Sequence, residues 1–166
     1  MELIAKLKHW QVFLVLFGTM YLPVLTVGSE MGKLSSVFFF TLNLVMYLVW
    51  VHTIGVVSKR YVVQEIKRNL RFNIFASVYV VVFIASMIIF VEHLGSNIFI
   101  ILPFHIVALG CLAFNVGTAA KSLVSATSKS DAPFSSYSGT IFKIWIYPIG
   151  IWKVQNQLNS LVEPNQ

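Results

Sequence analysis

Four long stretches of this chain contain no charged residue, and no other feature constrains its fold as strongly. They cover residues 9–29, 34–58, 72–91 and 93–120. A helix needs about 20 mainly apolar residues to cross a bilayer, and each stretch is long enough. Backbone groups inside lipid must be satisfied by the protein itself, so a crossing segment is a helix or part of a closed barrel. Because the stretches are apolar throughout rather than alternating with polar residues, they predict helices.

The fold that follows is an all-α integral membrane protein, a four-helix transmembrane bundle. We expect spans at about 10–28, 36–58, 72–91 and 98–120, all within a transmembrane domain of residues 1–121. The chain has 166 residues, of which 57% are hydrophobic and only 11% are charged. About 70 residues remain outside the spans, which are too few to bury a separate globular core.

The positions of the basic residues predict how the chain is oriented. An even number of spans places both ends on one side of the membrane, and eleven of the twelve Lys and Arg residues lie on that side, Lys33 being the exception. Cytoplasmic loops carry an excess of basic residues, so both termini are predicted to be cytoplasmic. The net charge of +6 is then explained by topology and by anionic lipid headgroups, and no nucleic acid is expected as a partner.

The connection between the second and third spans is also basic. Arg60, Lys67 and Arg71 cluster on one face of a helical projection, and apolar residues occupy another face. This pattern is typical of a helix that lies at the lipid surface, or of a helical extension of an adjoining span. The alternative is that these charges only set the topology.

After the fourth span the sequence becomes polar and then aromatic. Residues 122–139 are rich in serine, which predicts a flexible linker. Residues 140–166 form the expected cytoplasmic tail, whose twelve-residue apolar run is too short for a helix to cross the bilayer. Trp145 and Trp152 favour the headgroup boundary. We therefore expect an amphipathic aromatic segment that docks at the cytoplasmic interface or packs under the bundle, with a break at 148–150; a fifth span is the alternative.

The aromatic run of the tail also carries a family resemblance. The segment 144–152, with the sequence IWIYPIGIW, resembles the aromatic-Pro-x-Gly-x-Trp signature that ends a group of small, uncharacterised four-span proteins common in Bacteroidota. Residues 120–123 are similar to the same group, and the resemblance covers residues 115–159. After the Trp the group often continues with an Ile-Gln-Pro-Arg-like stretch, where this chain has Val154–Gln157. The resemblance implies a four-span architecture in a bacterial inner membrane, and it implies no particular biochemical activity.

Among the polar side chains inside the predicted spans, four are singled out as candidates: His105, Asn115, Asn43 and His52. Such residues are costly in lipid, which makes them candidates for a functional site. Histidine side chains can relay protons or respond to pH, and His105, near mid-bilayer, is the strongest of the four candidates. The alternative is that each side chain bonds a neighbouring helix, an interaction typically worth about 1 kcal/mol.

Small residues form a stripe on the fourth span, at Gly110, Ala113, Gly117 and Ala120. Stripes of this kind let helices approach closely. We expect the stripe to pack within the chain, while His105 and the other polar residue of this span lie on roughly the opposite face. The alternative is an oligomer in which this helix lines a pore.

No motif in the chain supports catalysis, a cofactor or a metal site. Cys111 is the only cysteine, and Glu92-His93 supplies too few ligands for a metal ion. The sequence therefore predicts a non-enzymatic inner-membrane protein that oligomerises and forms or regulates an ion-permeable pathway lined by His105, Asn115 and Asn43. The alternative is an accessory or scaffold subunit of a larger membrane complex, which docks through its Trp-rich tail. A small transporter ranks third.

Overall fold

The computed structural model describes residues 1–22, 32–62, 70–94 and 98–163. Every regular element within these ranges is a helix, which confirms the all-α prediction. In chain order the helices are α1 (Glu2–Lys6), α2 (His9–Tyr21), α3 (Gly32–Lys59), α4 (Leu70–Leu94), α5 (Ile98–Ser128), α6 (Phe134–Trp145) and α7 (Tyr147–Val162).

Three of these helices are long and apolar enough to cross a membrane. Their candidate spans are Ser35–Lys59, Arg71–Ile88 and Ile101–Ser128, which lie in α3, α4 and α5. The second, third and fourth predicted spans therefore fall on long helices. The first predicted span, about 10–28, begins in α2, and its part from residue 23 onwards lies outside the described residues.

The core of the protein lies in one half of the bundle, the half that contains Lys59 at the end of α3 and Ser128 at the end of α5. Here α3 and α5 pack against each other, and α1, α2, α6 and α7 gather around them. Trp50 of α3, Leu123 of α5 and Ile151 of α7 are almost completely buried. In the most apolar part of each helix, 17% of the residues of α4 and of α5 are buried, against 39% of those of α3. Their apolar outer faces are suited to contact with lipid rather than water.

The serine-rich segment 122–139 differs from the predicted flexible linker. α5 continues to Ser128 and α6 begins at Phe134, so only residues 129–133 connect the two helices. Serine and threonine hydroxyls bond to carbonyls one turn back in the same helix, as in Ser122 to the Thr118 oxygen at 2.8 Å. These small side chains also pack, and Ser122 and Ser125 are completely buried. The number of serines cannot distinguish a helix from a linker. Serine is common in turns, and within a helix its hydroxyl can bond the carbonyl four residues earlier.

The turn between α5 and α6 is held by specific contacts. The backbone N–H of Ala132 donates to the hydroxyl of Ser125 at 3.1 Å. Lys121 and Asp131 form a salt bridge at 3.0 Å. Lys129 adopts a left-handed conformation with φ of 53°. A short helix–helix connection of this kind makes α6 run antiparallel to α5.

The tail breaks earlier than the sequence predicts. α6 ends at Trp145 and α7 begins at Tyr147, so the break falls at Ile146, where φ is −93° and ψ is 61°, rather than at 148–150. Pro148 lies in the first turn of α7, where a backbone N–H has no carbonyl partner within the helix, so the lack of an N–H in proline costs no hydrogen bond. The proline therefore starts the second helix instead of ending the first.

Candidate functional site

Helices α6 and α7 form a hairpin, called here the C-terminal hairpin (Phe134–Val162), that folds back along the bundle. Its base lies beside Ser125 of α5, whose hydroxyl accepts the Ala132 N–H. Its tip shares a pocket with Leu112 of α5. Leu112 precedes Lys121 by nine residues, a rise of about 13 Å along α5. The tip therefore reaches well past the level of Lys121, along the part of α5 that is apolar enough to cross a membrane.

The backbone at the hairpin tip is satisfied internally. The N–H of Ile146 donates to the Phe142 oxygen at 2.9 Å, and the Ile146 oxygen accepts from Ile149 at 3.1 Å and from Gly150 at 3.0 Å. Unpaired backbone groups are what normally keeps a helix break out of lipid. With these bonds made inside the hairpin, the break is compatible with membrane depth.

Gly150 sets how closely the two arms approach. A Cβ atom at this position would lie 1.6 Å from the carbonyl oxygen of Lys143 and 2.3 Å from its carbonyl carbon. No side chain fits at that distance, because the obstacle is backbone of α6 and cannot rotate away. The Pro-x-Gly part of the aromatic signature thus has a local structural explanation: the proline begins α7 and the glycine lets α6 touch it.

A cluster of polar and aromatic side chains holds the hairpin tip against α2 and α3. Asn43 Nδ2 donates to the Leu16 oxygen at 2.6 Å and to Thr19 Oγ1 at 2.9 Å. The Tyr47 hydroxyl donates to the Ile144 oxygen at 3.1 Å, and its ring lies 5.4 Å from that of Tyr147. Asn43 Nδ2 therefore joins α3 to α2 through two hydrogen bonds, which is the structural role that the sequence offered as the alternative for Asn43.

Tyr147 belongs to the same cluster at the hairpin tip. Its hydroxyl contacts the sulfur of Met20 at 3.3 Å. A pocket of about 290 Å³ opens beside this cluster, and its walls are mainly aliphatic and aromatic.

A second cluster of hydrogen bonds lies nearer the basic end of the bundle and is centred on Gln155 of α7. The completely buried Gln155 accepts from Trp50 Nε1 at 3.0 Å. Its Nε2 donates to the backbone oxygen of Leu7 at 2.9 Å and to Asn159 Oδ1 at 3.0 Å. Asn159 Nδ2 also donates to the Leu7 oxygen, at 3.2 Å. The Gln155 amide thus joins the core of α3 to the carbonyl that follows α1, one of the helix-end groups that have no partner within the helix.

Asn115 lies in a different place, at the contact between α4 and α5. It is buried, and its Nδ2 donates to the Cys111 oxygen of its own helix at 3.1 Å. The neighbouring Thr118 hydroxyl contacts Asn73 Oδ1 at 3.5 Å. Asn73 is completely buried, and its Nδ2 has no hydrogen-bond partner among the described residues. Sequence reasoning missed Asn73 because a polar residue in the first turn of a span is usually taken to face the headgroups.

The two histidines occupy separate surfaces. His105 is exposed on α5, and its ring centroid lies 5.8 Å from that of Phe83 on α4. His52 lines an apolar groove of about 300 Å³ between α3 and α4. Within the chain, therefore, the four predicted polar residues do not converge on a common pathway: Asn43 joins α2 to α3, Asn115 lies between α4 and α5, and the histidines face elsewhere.

The stripe of small residues differs from the expectation that it packs within the chain. Gly110 and Ala113 are exposed, and a Cβ atom at Gly110 or Gly117 would meet nothing within 4 Å. Only Ala120 is buried in the core. The reason lies in helix periodicity. The buried residues Ala108, Val116 and Ala119 define the inner face of α5, and the stripe lies roughly a third of a turn away from it.

The basic and Trp side chains predicted to contact lipid or a partner are only partly available for such a contact. Arg60 pairs with Glu2, while Arg71 is exposed; Lys67 lies outside the described residues. Trp152 packs on His9 and Phe13 of α2, with ring centroids 5.9 Å and 4.7 Å apart. Trp145 stays 43% exposed at the hairpin tip.

Comparison with known proteins adds no relative. The chain matches no protein-family model, no curated protein and no solved structure.

Proposed function

We propose that this chain is a non-enzymatic, four-span subunit of a bacterial inner membrane that self-associates through the outer face of α5. In the assembly, His105 and the residues near it form or regulate an ion-permeable pathway. The observation that carries the proposal is the exposure of His105 at membrane depth. The bacterial location rests on the resemblance of the 144–152 segment to small four-span proteins of Bacteroidota.

Chain connectivity supports four crossings. α2 begins at the basic end of the bundle, where His9 Nδ1 and Asn156 Oδ1 lie 3.0 Å apart. By Leu16 it has reached the level of Asn43. Gly32, the start of α3, lies eleven residues before Asn43, a further rise of about 16 Å away from Lys59. The start of α3 therefore lies towards the opposite end of the bundle from the start of α2, which supports one crossing before α3.

The exposed histidine supports self-association. His105 lies sixteen residues before Lys121, about 24 Å along α5. A polar ring that faces lipid at this depth is unfavourable, and intramembrane ionisable residues generally face a bundle interior or a water-filled cavity. A second copy of α5 would supply such an environment. Gly110 and Ala113 are exposed on a different face of α5 from His105, so close packing of the second copy there would enclose His105 at the side of the contact.

The test is the mass of the solubilised particle, measured by native mass spectrometry after lipid removal. We expect a defined homo-oligomer for the wild type and smaller particles for Ala113→Leu, which adds bulk to the exposed face of α5. The matched control is Val78→Leu on the exposed face of α4, which should leave the mass unchanged. In proteoliposomes, His105→Ala should change ion flux several-fold. A clean wild-type monomer contradicts the proposal.

The second candidate is an accessory subunit that docks on another membrane protein through the C-terminal hairpin. The observation that favours it is the exposure of Trp145 and of its neighbours Phe142 and Ile149 at the tip. Co-purification of a stoichiometric membrane protein, lost in Trp145→Ala and retained in Ala113→Leu, would distinguish it from self-association through α5.

A further inference from the structure

The tip of the C-terminal hairpin presents large apolar side chains that the bundle does not cover. Phe142 is 69% exposed and Ile149 is 78% exposed. Ile146, at the break itself, is also exposed. These side chains come from both arms, and at the depth reached by the tip they would contact acyl chains rather than water.

Two lysines flank the same surface. Lys143 on α6 and Lys153 on α7 line one recess of about 260 Å³, together with Phe142, Ile146, Ile149 and Gly150. Among the described residues neither lysine forms a salt bridge; the described salt bridges join Lys121 to Asp131 and Arg60 to Glu2. The recess therefore combines apolar walls with two lysine side chains that form no salt bridge among the described residues. It exists because Gly150 lets the two arms meet, which brings together lysines that are ten residues apart in the chain.

We propose that this recess binds one anionic phospholipid of the surrounding bilayer. The headgroup phosphate lies between the ammonium groups of Lys143 and Lys153, and an acyl chain lies against Phe142 and Ile149. Lysine is a compact cation that suits a phosphate group, and its long stem lets the charge reach the headgroup level while the chain stays against apolar surface. The occupant is a lipid rather than a soluble phosphate, because most of the recess and the surface around it are apolar.

The lipid would join the two arms of the hairpin across the break. Because each lysine belongs to a different helix, one bound phosphate stabilises the folded hairpin and not either helix alone. The site is complete in one protomer, so its test is independent of whether α5 meets a second copy.

The experiment titrates the full-length, delipidated protein in detergent with phosphatidylglycerol or with phosphatidylcholine and counts bound lipids by native mass spectrometry. For the double variant Lys143→Gln, Lys153→Gln we expect phosphatidylglycerol affinity at the tightest site to fall about tenfold or more, with little change for phosphatidylcholine. The matched control, Lys6→Gln with Lys129→Gln, removes the same charge from exposed positions away from the recess and should keep the wild-type affinity.

Three results would overturn the proposal: equal wild-type affinity for the two lipids, equal loss in the control, or no loss in the double variant. Millimolar inorganic phosphate should leave the bound lipid in place. Displacement of the lipid by phosphate would show that the recess binds anions without binding the acyl chains. A second measurement guards against misfolding. Phosphatidylglycerol should raise the Tm of the wild type and of the control, and it should leave the Tm of a normally helical double variant unchanged.

Discussion

Gly150 is the residue on which the shape of the C-terminal hairpin depends. Its Cα faces the backbone of Lys143 so closely that a methyl group would overlap the carbonyl. Two helices joined by a single non-helical residue, Ile146, leave no slack for the arms to separate. Glycine at this position is therefore required by a close approach, and its own backbone needs no unusual conformation.

Gly150→Ala should destabilise the protein by at least about 2 kcal/mol, because overpacking against backbone cannot be relieved by a rotamer change. The matched control is Gly139→Ala in α6, where a Cβ atom would meet nothing within 4 Å. Alanine is the better helix former, so this control should stabilise by up to about 1 kcal/mol. The measurement is unfolding in mixed micelles followed by circular dichroism. Equal stability of the two variants would contradict the close approach.

Gln155 is the other single residue whose replacement should strongly lower the stability of the protein. Replacing it by leucine keeps the volume but leaves Trp50 Nε1 and the Leu7 oxygen buried without this partner, which should cost about 2–3 kcal/mol. The N-terminal segment should also loosen, so trypsin should cut faster after Lys6 and Lys8. Gln157→Leu is the control, because the buried Oε1 of Gln157 has no partner among the described residues. An unchanged digestion rate in Gln155→Leu would show that the amide does not hold α1.

At the scale of whole elements, the long helices follow from the sequence and the hairpin does not. Bilayer thickness alone determines the length of an apolar span, so three predicted spans fall on α3, α4 and α5. The run 141–152 is twelve residues long, a length equally suited to an interfacial helix and to a re-entrant one. What decides between them is the contact of Tyr47 with Ile144 and of Trp50 with Gln155, and no periodicity encodes these long-range pairs. The signal that could have indicated a hairpin is the Pro-x-Gly near the centre of the run.

The orientation of side chains on α5 shows the same limit. Composition identifies the stripe that includes Gly110 and Ala113, and helical periodicity places its residues on one face. Which face turns inward depends on where α3 and α4 lie, and the structure turns Asn115 inward and Gly110 outward. The sequence pattern thus shows which residues share a face of the helix, and tertiary packing determines which face is buried.

The depth of the hairpin can be measured with nitroxide labels in a Cys111→Ala background. A label at Ile149→Cys, at the tip, should collide mainly with oxygen, which concentrates in lipid. A label at Ser160→Cys, near the end of α7, should collide mainly with a water-soluble nickel complex. A water-like collision profile at Ile149 would place the hairpin outside the membrane and contradict the depth inferred from the pocket that its tip shares with Leu112.

At the scale of the molecule, the two ends of the bundle differ in construction. At the basic end, Gln155 of α7 bonds both Trp50 of α3 and the Leu7 oxygen that follows α1. Asn159 of α7 bonds the same oxygen, so the first and last described helices meet there. Towards the opposite end, α4 and α5 expose apolar side chains such as Val82 and Phe104. This asymmetry fits a bundle that is fastened at one membrane surface and has outer helical faces available to lipid or to other subunits.

The meeting of the first and last helices makes the number of crossings testable. Leu3→Cys in α1 and Ser160→Cys in α7, each in the Cys111→Ala background, should react with a membrane-impermeant maleimide only after the cytoplasmic face is opened. Ser96→Cys, in the predicted external connection, is the control that should react in intact cells. The physical reason is that an even number of crossings returns the chain to its starting side, where the basic residues lie. Labelling of Leu3→Cys and Ser160→Cys from opposite sides would require an odd number of crossings. Because Asn159 and Leu7 bond each other, that result would also rule out their pairing in the membrane-embedded protein.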